Sequence, residues 1–197
     1  MRPEKSPSIL SLLSPRKGHF SLESGHHGDL WIDLETLCQH PNVIRPFADA
    51  LAAQLAAHHV EAVCGPLNEG AFVALMVASS LDVEFSYAER FEHPEIDALF
   101  PVEYRLPRVL RATVRGKRIA IVNDVISAGS AVRGTLLDLQ ACGANVVAIG
   151  ALLVLGSSAS RLAADHHVAL ESGAQLAYSI WAPSECPLCA AGLPLES

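Results

Sequence analysis

The residues with the clearest chemical potential lie in one segment, RIAIVNDVISAGSA at 118–131. An apolar run ends at Asn123 and Asp124, and a short loop of small residues then leads into an amphipathic stretch, 132–141. This order predicts a buried strand, a loop and the N-terminus of a helix. Backbone N–H groups at a helix N-terminus lack intrahelical partners and attract anions. The sequence therefore predicts a phosphate-binding loop.

Five consecutive residues form this predicted phosphate loop: Ser127, Ala128, Gly129, Ser130 and Ala131. Their backbone N–H groups would hold a phosphate monoester, with the two serine hydroxyls as further donors. Asp124 ends the predicted strand, at the edge where open α/β sheets bind ligands, and can accept hydrogen bonds from vicinal hydroxyls. A phosphate beside a diol describes a phosphorylated sugar. The alternative, a serine that only caps a helix, is common in proteins.

Length and composition indicate one domain with a well-buried core, because half of the 197 residues are hydrophobic and only 18% are charged. The net charge of −7 argues against a general nucleic-acid binder. We expect a cytoplasmic protein, since no apolar run approaches the ~18–20 residues of a membrane span and no signal-peptide pattern opens the chain. Five cysteines do not indicate a disulfide framework in such a protein.

Apolar runs alternate with helical stretches along the chain, which predicts an α/β fold with a doubly wound, mostly parallel sheet flanked by helices. The whole chain, 1–197, is predicted to be a single domain with a small N-terminal hairpin at 18–37. Residues 89–117 contain three prolines and six basic residues without a clear period, and are predicted to form a mobile lid. Residues 184–197 form a C-terminal tail.

Several segments, in this order, resemble the type I phosphoribosyltransferases, and most closely the orotate phosphoribosyltransferases. IAIVNDVISAGSAVRGT is similar to the motif of that family for phosphoribosyl pyrophosphate (PRPP), and GHFSLESG resembles its N-terminal GxFxLxSG hairpin. CGPLNEGAFVALMVAS resembles its pyrophosphate loop, and FSYAER resembles the strand that enters its lid. ECPLCAAGLPL is similar to a tail found in one branch of orotate enzymes.

The resemblance implies Mg²⁺-dependent transfer of phosphoribosyl from PRPP to a nucleobase. Orotate is the default acceptor, which would place the reaction in pyrimidine biosynthesis. It also implies a homodimer in which the lid reaches the partner's site. Two alternatives remain open: another base, or a non-catalytic PRPP- or nucleotide-binding regulatory protein. A dinucleotide-binding oxidoreductase is excluded because no G-x-G-x-x-G follows the first strand.

The resemblance also implies roles for individual residues. Asn123 and Asp124 would contact the ribose, and Asp124 would be a catalytic residue. Arg90 and Arg105 are candidate catalytic cations of the lid, with a solvated basic loop that faces its own glutamates as the alternative. The predicted pyrophosphate loop consists of Gly65, Pro66, Leu67, Asn68, Glu69 and Gly70.

This chain departs from the family pattern in several places. Asn123 stands where the family generally has a second acid, and Glu69 and Glu23 stand where many members have other residues, a base-contacting lysine in the case of Glu23. Glu69 must point away from pyrophosphate, bind metal or alter the chemistry, or it is simply solvated. Gly156 and Ser157 replace an Asp-Arg pair whose guanidinium can bind the orotate carboxylate in bidentate fashion.

The tail sequence CPLC has the two-residue spacing of a zinc knuckle or a redox pair. A structural zinc site normally needs four ligands, and a CxxC supplies only two. The histidine pairs at 26–27 and 166–167 would complete a set only through tertiary structure. The sequence therefore favours a capped C-terminal turn, and no metal-ligating residues are predicted.

Overall fold

The structure is a computed structural model that describes residues 8–22, 25–34, 37–92 and 102–196. The strands are β1 Arg16–Ser21, β2 His27–Trp31, β3 Ala62–Pro66, β4 Glu84–Glu92, β5 Val102–Arg105, β6 Arg118–Ile126, β7 Asn145–Leu155, β8 Ala169–Leu176 and β9 Ile180–Trp181. The helices are α1 Ile9–Leu13, α2 Pro41–Ala56, α3 Glu69–Leu81, α4 Ser130–Ala141, α5 Ser158–Asp165 and α6 Pro187–Ala190. Two 3₁₀ turns span Leu37–Gln39 and Pro183–Glu185.

The central sheet has six strands in the order β5-β4-β3-β6-β7-β8. Pairing is parallel from β4 through β8, and only the edge strand β5 runs antiparallel, beside β4. Helices join the parallel strands, as their crossovers require. The predicted α/β fold with a doubly wound, mostly parallel sheet is confirmed.

The two faces of this sheet carry separate apolar cores. On one face, residues of α2 and α3 such as Leu51 and Val77 pack against Val122 of β6. On the other face, Leu136 of α4 packs against Ile121. All five side chains are fully buried, and burying an aliphatic side chain of this size contributes about 1.5–3 kcal/mol. No helix of the described chain is long and apolar enough to cross a membrane.

The predicted N-terminal hairpin is present, because β1 and β2 pair antiparallel. A third strand joins it from the other end of the chain, since β9 pairs antiparallel with β2. The tail adds two backbone hydrogen bonds: the Glu196 N–H donates to the His19 carbonyl at 2.7 Å, and the Ser21 N–H donates to the Glu196 carbonyl at 2.9 Å. The N- and C-terminal segments therefore build one small sheet together.

The segment 89–117, in which no clear period predicts an element, contains regular strands near its start, because β4 continues to Glu92 and pairs with β5 to form an antiparallel ribbon. Tyr104 of β5 packs against α4, where a Cβ at Gly134 would lie 3.0 Å from its ring. This ribbon depends on a tertiary contact with α4, so local periodicity did not indicate it. The centre of the segment, 93–101, lies outside the described residues, and its role as a lid stays a prediction.

One acid holds the segment that follows the ribbon to the body of the protein. Asp138 of α4 accepts a hydrogen bond from the Leu106 backbone N–H at 2.8 Å and another from the Arg111 guanidinium at 2.6 Å. A hydrogen bond to a charged group contributes about 1.5–3 kcal/mol. Of the six basic residues between 89 and 117, Arg111 is therefore committed to a structural contact.

Candidate functional site

Three loops meet at the carboxyl edge of the central sheet, because β3, β6 and β7 are adjacent and parallel. The pairing of β6 with β3 ends at Ile121, whereas its pairing with β7 continues to Ile126. Asn123 and Asp124 therefore lie on a strand that has lost one neighbour. Such a crevice at the carboxyl ends of parallel strands is where open α/β sheets bind ligands.

Asp124 is the buried ionisable group of this crevice, with 5% of its surface exposed. Burial raises the pKa of its carboxyl from 3.8 to about 6, and the charge of Glu69 adds to this effect. The backbone N–H groups of Val125 and of Asp124 itself donate to the carboxyl and act in the opposite direction. The carboxylate is thus ionised at neutral pH but lies close to its protonation point, so it can accept hydrogen bonds from a ligand.

Asn123 contacts the start of α3 directly. Its Oδ1 lies 2.0 Å from the place that a Cβ at Gly70 would take, so any side chain at 70 would displace it. Its Nδ2 donates to the Val125 carbonyl at 2.9 Å, which fixes the orientation of the amide. The predicted ribose-contact residues and the predicted pyrophosphate loop are therefore packed against each other.

Glu69 begins α3 and is half-buried. It lies near enough to Asp124 for its charge to raise the pKa of that carboxyl, after the larger effect of burial. Burial, followed by the charges of Asp124 and Glu69, also raises the pKa of the Cys38 thiol to about 11. Glu69 thus lies near Asp124 and near Cys38. The sequence had not connected Cys38 with the site. Glu23 lies outside the described residues.

The predicted phosphate loop has the expected strand–loop–helix form. Gly129 has φ 83° and ψ 10°, a left-handed conformation that favours glycine, and α4 begins at the next residue. Ser127, Gly129 and Ala131 are half-exposed, and Ala128 and Ser130 are exposed, so a ligand can reach the first-turn N–H groups. Whether these residues hold phosphate remains a prediction.

The predicted pyrophosphate loop spans the end of β3 and the start of α3. Gly65 and Pro66 end the strand, and the Leu67–Asn68 peptide is cis. A Cβ at Gly65 would lie 2.6 Å from the Ala71 Cα, so glycine permits the helix to approach the strand this closely. The turn places a second helix N-terminus beside the first.

The structure separates the two predicted lid arginines. Arg105 lies opposite Glu89 and Arg90 lies opposite Tyr104 in the antiparallel ribbon. Residues that lie directly opposite each other in the ribbon project from the same face. Arg90 therefore projects from the same face as Tyr104, and Arg105 projects from the other face. Arg105 forms an ion pair with Glu103, which matches the alternative of a basic segment that faces its own glutamates. In the central sheet β3 lies between β4 and β6. The strand that carries Arg90 is therefore two strand spacings, about 10 Å, from the strand that carries Asp124.

A cavity of about 240 Å³ lies at the carboxyl end of β7. Gly156 and Ser157, the residues in place of the family's Asp-Arg pair, line it together with Arg161 and Tyr178. Tyr178 also lies within hydrogen-bonding reach of Ser127, while burial raises the pKa of its hydroxyl. A larger cavity of about 420 Å³ lies by α1 and the hairpin, away from the loops of the carboxyl edge.

Sequence reasoning missed Cys38, Arg161 and Tyr178 as neighbours of the site. No motif signalled Cys38 or Tyr178, because distant segments bring them there. The sequence could have indicated Arg161 as a neighbour of the site, because it follows Ser157 by about one helical turn and lies near the same end of α5.

Replacing Asp124 with Asn tests how much the buried charge lowers the free energy of unfolding. Because the pKa of the carboxyl is raised from 3.8 to about 6, the wild type loses stability as pH rises through that interval. We expect Asp124→Asn to be more stable than wild type by about 1–3 kcal/mol at pH 8 and by clearly less at pH 5, measured by urea unfolding. Asp82→Asn, at the exposed end of α3, should change neither value. An Asp124→Asn protein less stable than wild type at pH 8 would contradict the assignment.

No family model matches the chain, but known proteins resemble it over nearly its whole length. The orotate phosphoribosyltransferase of Caldanaerobacter subterraneus subsp. tengcongensis is 29% identical over 196 residues, 99% of this chain and 96% of that protein. That of Thermotoga maritima is 30% identical over 182 residues, 91% and 89% of the two chains. The crystal structure of orotate phosphoribosyltransferase from Aeropyrum pernix has a TM-score of 0.64 at 24% identity, covers 85% of this chain and 92% of its own, and supports the fold. This chain therefore belongs to the orotate phosphoribosyltransferase family, within the type I phosphoribosyltransferases.

Proposed function

We propose that this protein transfers the phosphoribosyl group of PRPP to orotate, a step of pyrimidine biosynthesis. A ring nitrogen of orotate would form a bond to ribose C1 and lose its proton to solvent, while the bond from C1 to pyrophosphate breaks, giving orotidine monophosphate and pyrophosphate. The observation that carries the proposal is the crevice in which buried Asp124 adjoins the N-terminus of α4. The nearly full-length similarity to orotate phosphoribosyltransferases supports it.

Each part of the crevice would act on one part of PRPP. The first-turn N–H groups of α4 would bind the 5′-phosphate. The ionised Asp124 would accept hydrogen bonds from the ribose hydroxyls and stabilise the positive charge that develops on the ring in the transition state. The turn at 67–68 and the N-terminus of α3 would hold the pyrophosphate. Catalysis would then come from position and charge rather than from a covalent intermediate.

The donor set of the crevice fits Mg²⁺, which prefers one or two carboxylates together with substrate phosphates. Asp124 supplies one carboxylate, and Glu69, whose charge reaches it, supplies the second. The family generally has that second acid at the position of Asn123. We propose that Glu69 provides the charge that Asn123 lacks. Bound Mg²⁺ would neutralise charge on the pyrophosphate as it leaves.

A direct assay tests the proposed reaction. With PRPP, Mg²⁺ and orotate we expect release of pyrophosphate at about 1 s⁻¹ or faster, and loss of turnover on chelation. Asp124→Asn should lower kcat by about 10²-fold or more, because it removes charge at the reacting ribose. Asp82→Asn is the matched control and should retain activity.

A different outcome would favour the second candidate function. The amide at 123, in place of an acid, agrees with a protein that binds PRPP or a nucleotide without turning it over. Calorimetry would detect the heat of PRPP binding. If PRPP binds but no pyrophosphate is released with orotate or with other bases, the transferase function is excluded. Absence of PRPP binding would exclude both.

Arg161 is our candidate for recognition of the orotate carboxylate. It lines the cavity beside Gly156 and Ser157, which replace the family's Asp-Arg pair. Among the described residues no carboxylate forms an ion pair with it. An exposed guanidinium at the mouth of a cavity, about one helical turn beyond Ser157, can supply the charge-assisted contact that the replaced pair would have made.

We expect Arg161→Ala to raise KM for orotate by about 10- to 100-fold, since a charge-assisted hydrogen bond contributes roughly 1.5–3 kcal/mol. KM for PRPP should stay unchanged. Arg45→Ala on the surface of α2 provides the control, with neither constant altered. Steady-state kinetics with each substrate varied in turn separate the two constants, and an unchanged KM for orotate would remove Arg161 from the site.

We also propose a homodimer. Phe72 and Leu75 on α3 are 48% and 51% exposed and lie on one helical face, an apolar surface of the kind that a second copy covers. Sedimentation should give twice the chain mass of 20.9 kDa, and Phe72→Glu should shift the protein toward the monomer. A monomeric wild type at micromolar concentration would refute the proposal.

A further inference from the structure

Four metal-binding side chains converge outside the crevice, where the tail meets the N-terminal hairpin. They are His19, His27, Cys186 and Cys189. Their potential ligand atoms all lie within 4.8 Å of one another. His19 and His27 come from β1 and β2, while Cys186 is the N-cap of α6 and Cys189 lies within that helix. The sequence could not show this, because 159 residues or more separate each histidine from either cysteine.

Four distances between the ligand atoms, 3.1–3.6 Å, are close to the edges of a tetrahedral N₂S₂ site. The His19 Nε2 lies 3.1 Å from the His27 Nδ1, 3.4 Å from the Cys186 Sγ and 3.6 Å from the Cys189 Sγ. The Cys189 Sγ lies 3.2 Å from the His27 Nδ1. With Zn–N of about 2.0–2.1 Å and Zn–S of about 2.3 Å, a regular tetrahedron has edges of roughly 3.3–3.8 Å.

The hydrogen bond on the far side of His19 sets its tautomer. The His19 Nδ1 lies 3.0 Å from the Leu193 carbonyl oxygen, which can only accept, so this nitrogen carries the proton and donates. The Nε2 lone pair then points to the other three ligand atoms. Histidine ligands of metals are held in this way, with the remote N–H bound to a carbonyl or a carboxylate.

Burial supports the same conclusion. His19, His27 and Cys186 are 3%, 8% and 3% exposed, whereas Cys189 faces solvent. Tertiary structure brings His27 of the 26–27 pair to the two cysteines and buries it within the small sheet. Two imidazoles and two sulfur atoms directed at a common point form a donor set typical of structural zinc.

We propose that His19, His27, Cys186 and Cys189 bind one Zn²⁺ ion. The site is structural, because four protein ligands close a tetrahedral coordination shell and leave no position for substrate. It ties the tail to the hairpin beside the β2–β9 pairing and the Glu196 backbone bonds, and so completes the small sheet.

The metal content of the purified chain tests the site without reference to activity. Tag-free protein, prepared under reducing conditions with Zn²⁺ in the growth medium, should contain about one zinc per chain by mass spectrometry of the metal. Replacement with Co²⁺ should give the visible absorption bands of tetrahedral, thiolate-bound cobalt. A strong chelator should remove the zinc and lower the melting temperature, and Zn²⁺ but not Mg²⁺ should restore it.

Variants assign the ligands. Cys189→Ser is the first choice, because that side chain is exposed and its loss disturbs little packing. It should bind zinc with affinity lowered by 10-fold or more, and its cobalt form should show weaker thiolate bands, since only the Cys186 thiolate remains. Cys38→Ser, which changes a cysteine outside the cluster, should keep a full complement of zinc. His27→Gln should lose zinc, whereas His40→Gln at the exposed start of α2 should keep it.

Several results would overturn the proposal. Protein that is folded, free of zinc and unable to bind added Zn²⁺ would show that the four side chains only hydrogen bond to one another. A Cys186–Cys189 disulfide under reducing conditions would do the same, as would zinc retained in full by both Cys189→Ser and His27→Gln. Because metal content and melting temperature are the readouts, these results stand independently of whether the protein turns over orotate.

Discussion

The arrangement of the crevice depends on one carboxyl group buried where the central strand β6 loses a neighbour. Ionising Asp124 in that position is costly, as its raised pKa shows. The surrounding groups reduce the cost only in part, through two backbone N–H donors, while Glu69 increases it. A buried charge of this kind persists where a ligand compensates it, and cationic or hydroxyl-rich ligands do so. In the proposed function, a magnesium-bound ribose phosphate would supply this compensation.

Two departures from the family pattern, which look independent in the sequence, meet in the structure. Asn123 removes a charge from the strand, and Glu69 adds one at the start of the neighbouring helix. The Asn123 amide packs against Gly70, the residue directly after Glu69. Asp124 and Glu69 thus lie near enough for their charges to interact, although they belong to two different elements. A count of acids in the motif alone does not include Glu69.

Local pattern was sufficient for the strand–loop–helix of β6 and α4. Three local signals indicate it, and each depends only on residues close together in the sequence. They are the apolar run at 119–122, the small residues at 127–129 and the apolar period of the helix. The element boundaries could not be predicted in the same way, since β6 continues through Asp124 to Ile126 and the predicted pyrophosphate loop overlaps the start of α3 at Glu69. The longer β6 follows from its pairing with β7, which leaves no periodic signal.

Features that join distant segments could not be predicted. Tyr104 orders the β4–β5 ribbon through a helix that follows it by about 30 residues, and Tyr178 reaches Ser127 from beyond β8. Cys38 lies near Asp124 for the same reason. The sequence shows which side chains have chemical potential, whereas the long-range packing decides which of them share a ligand.

The small sheet has a consequence for the order in which the protein folds. β2 pairs with β9, so that Gly28 lies opposite Ile180, and the Glu196 contact also joins segments that are far apart in the sequence. Pairing between such distant segments forms slowly, because a long loop of chain must close first. Until it forms, the edge of β2 is open, and an open strand edge is a template for association with other chains.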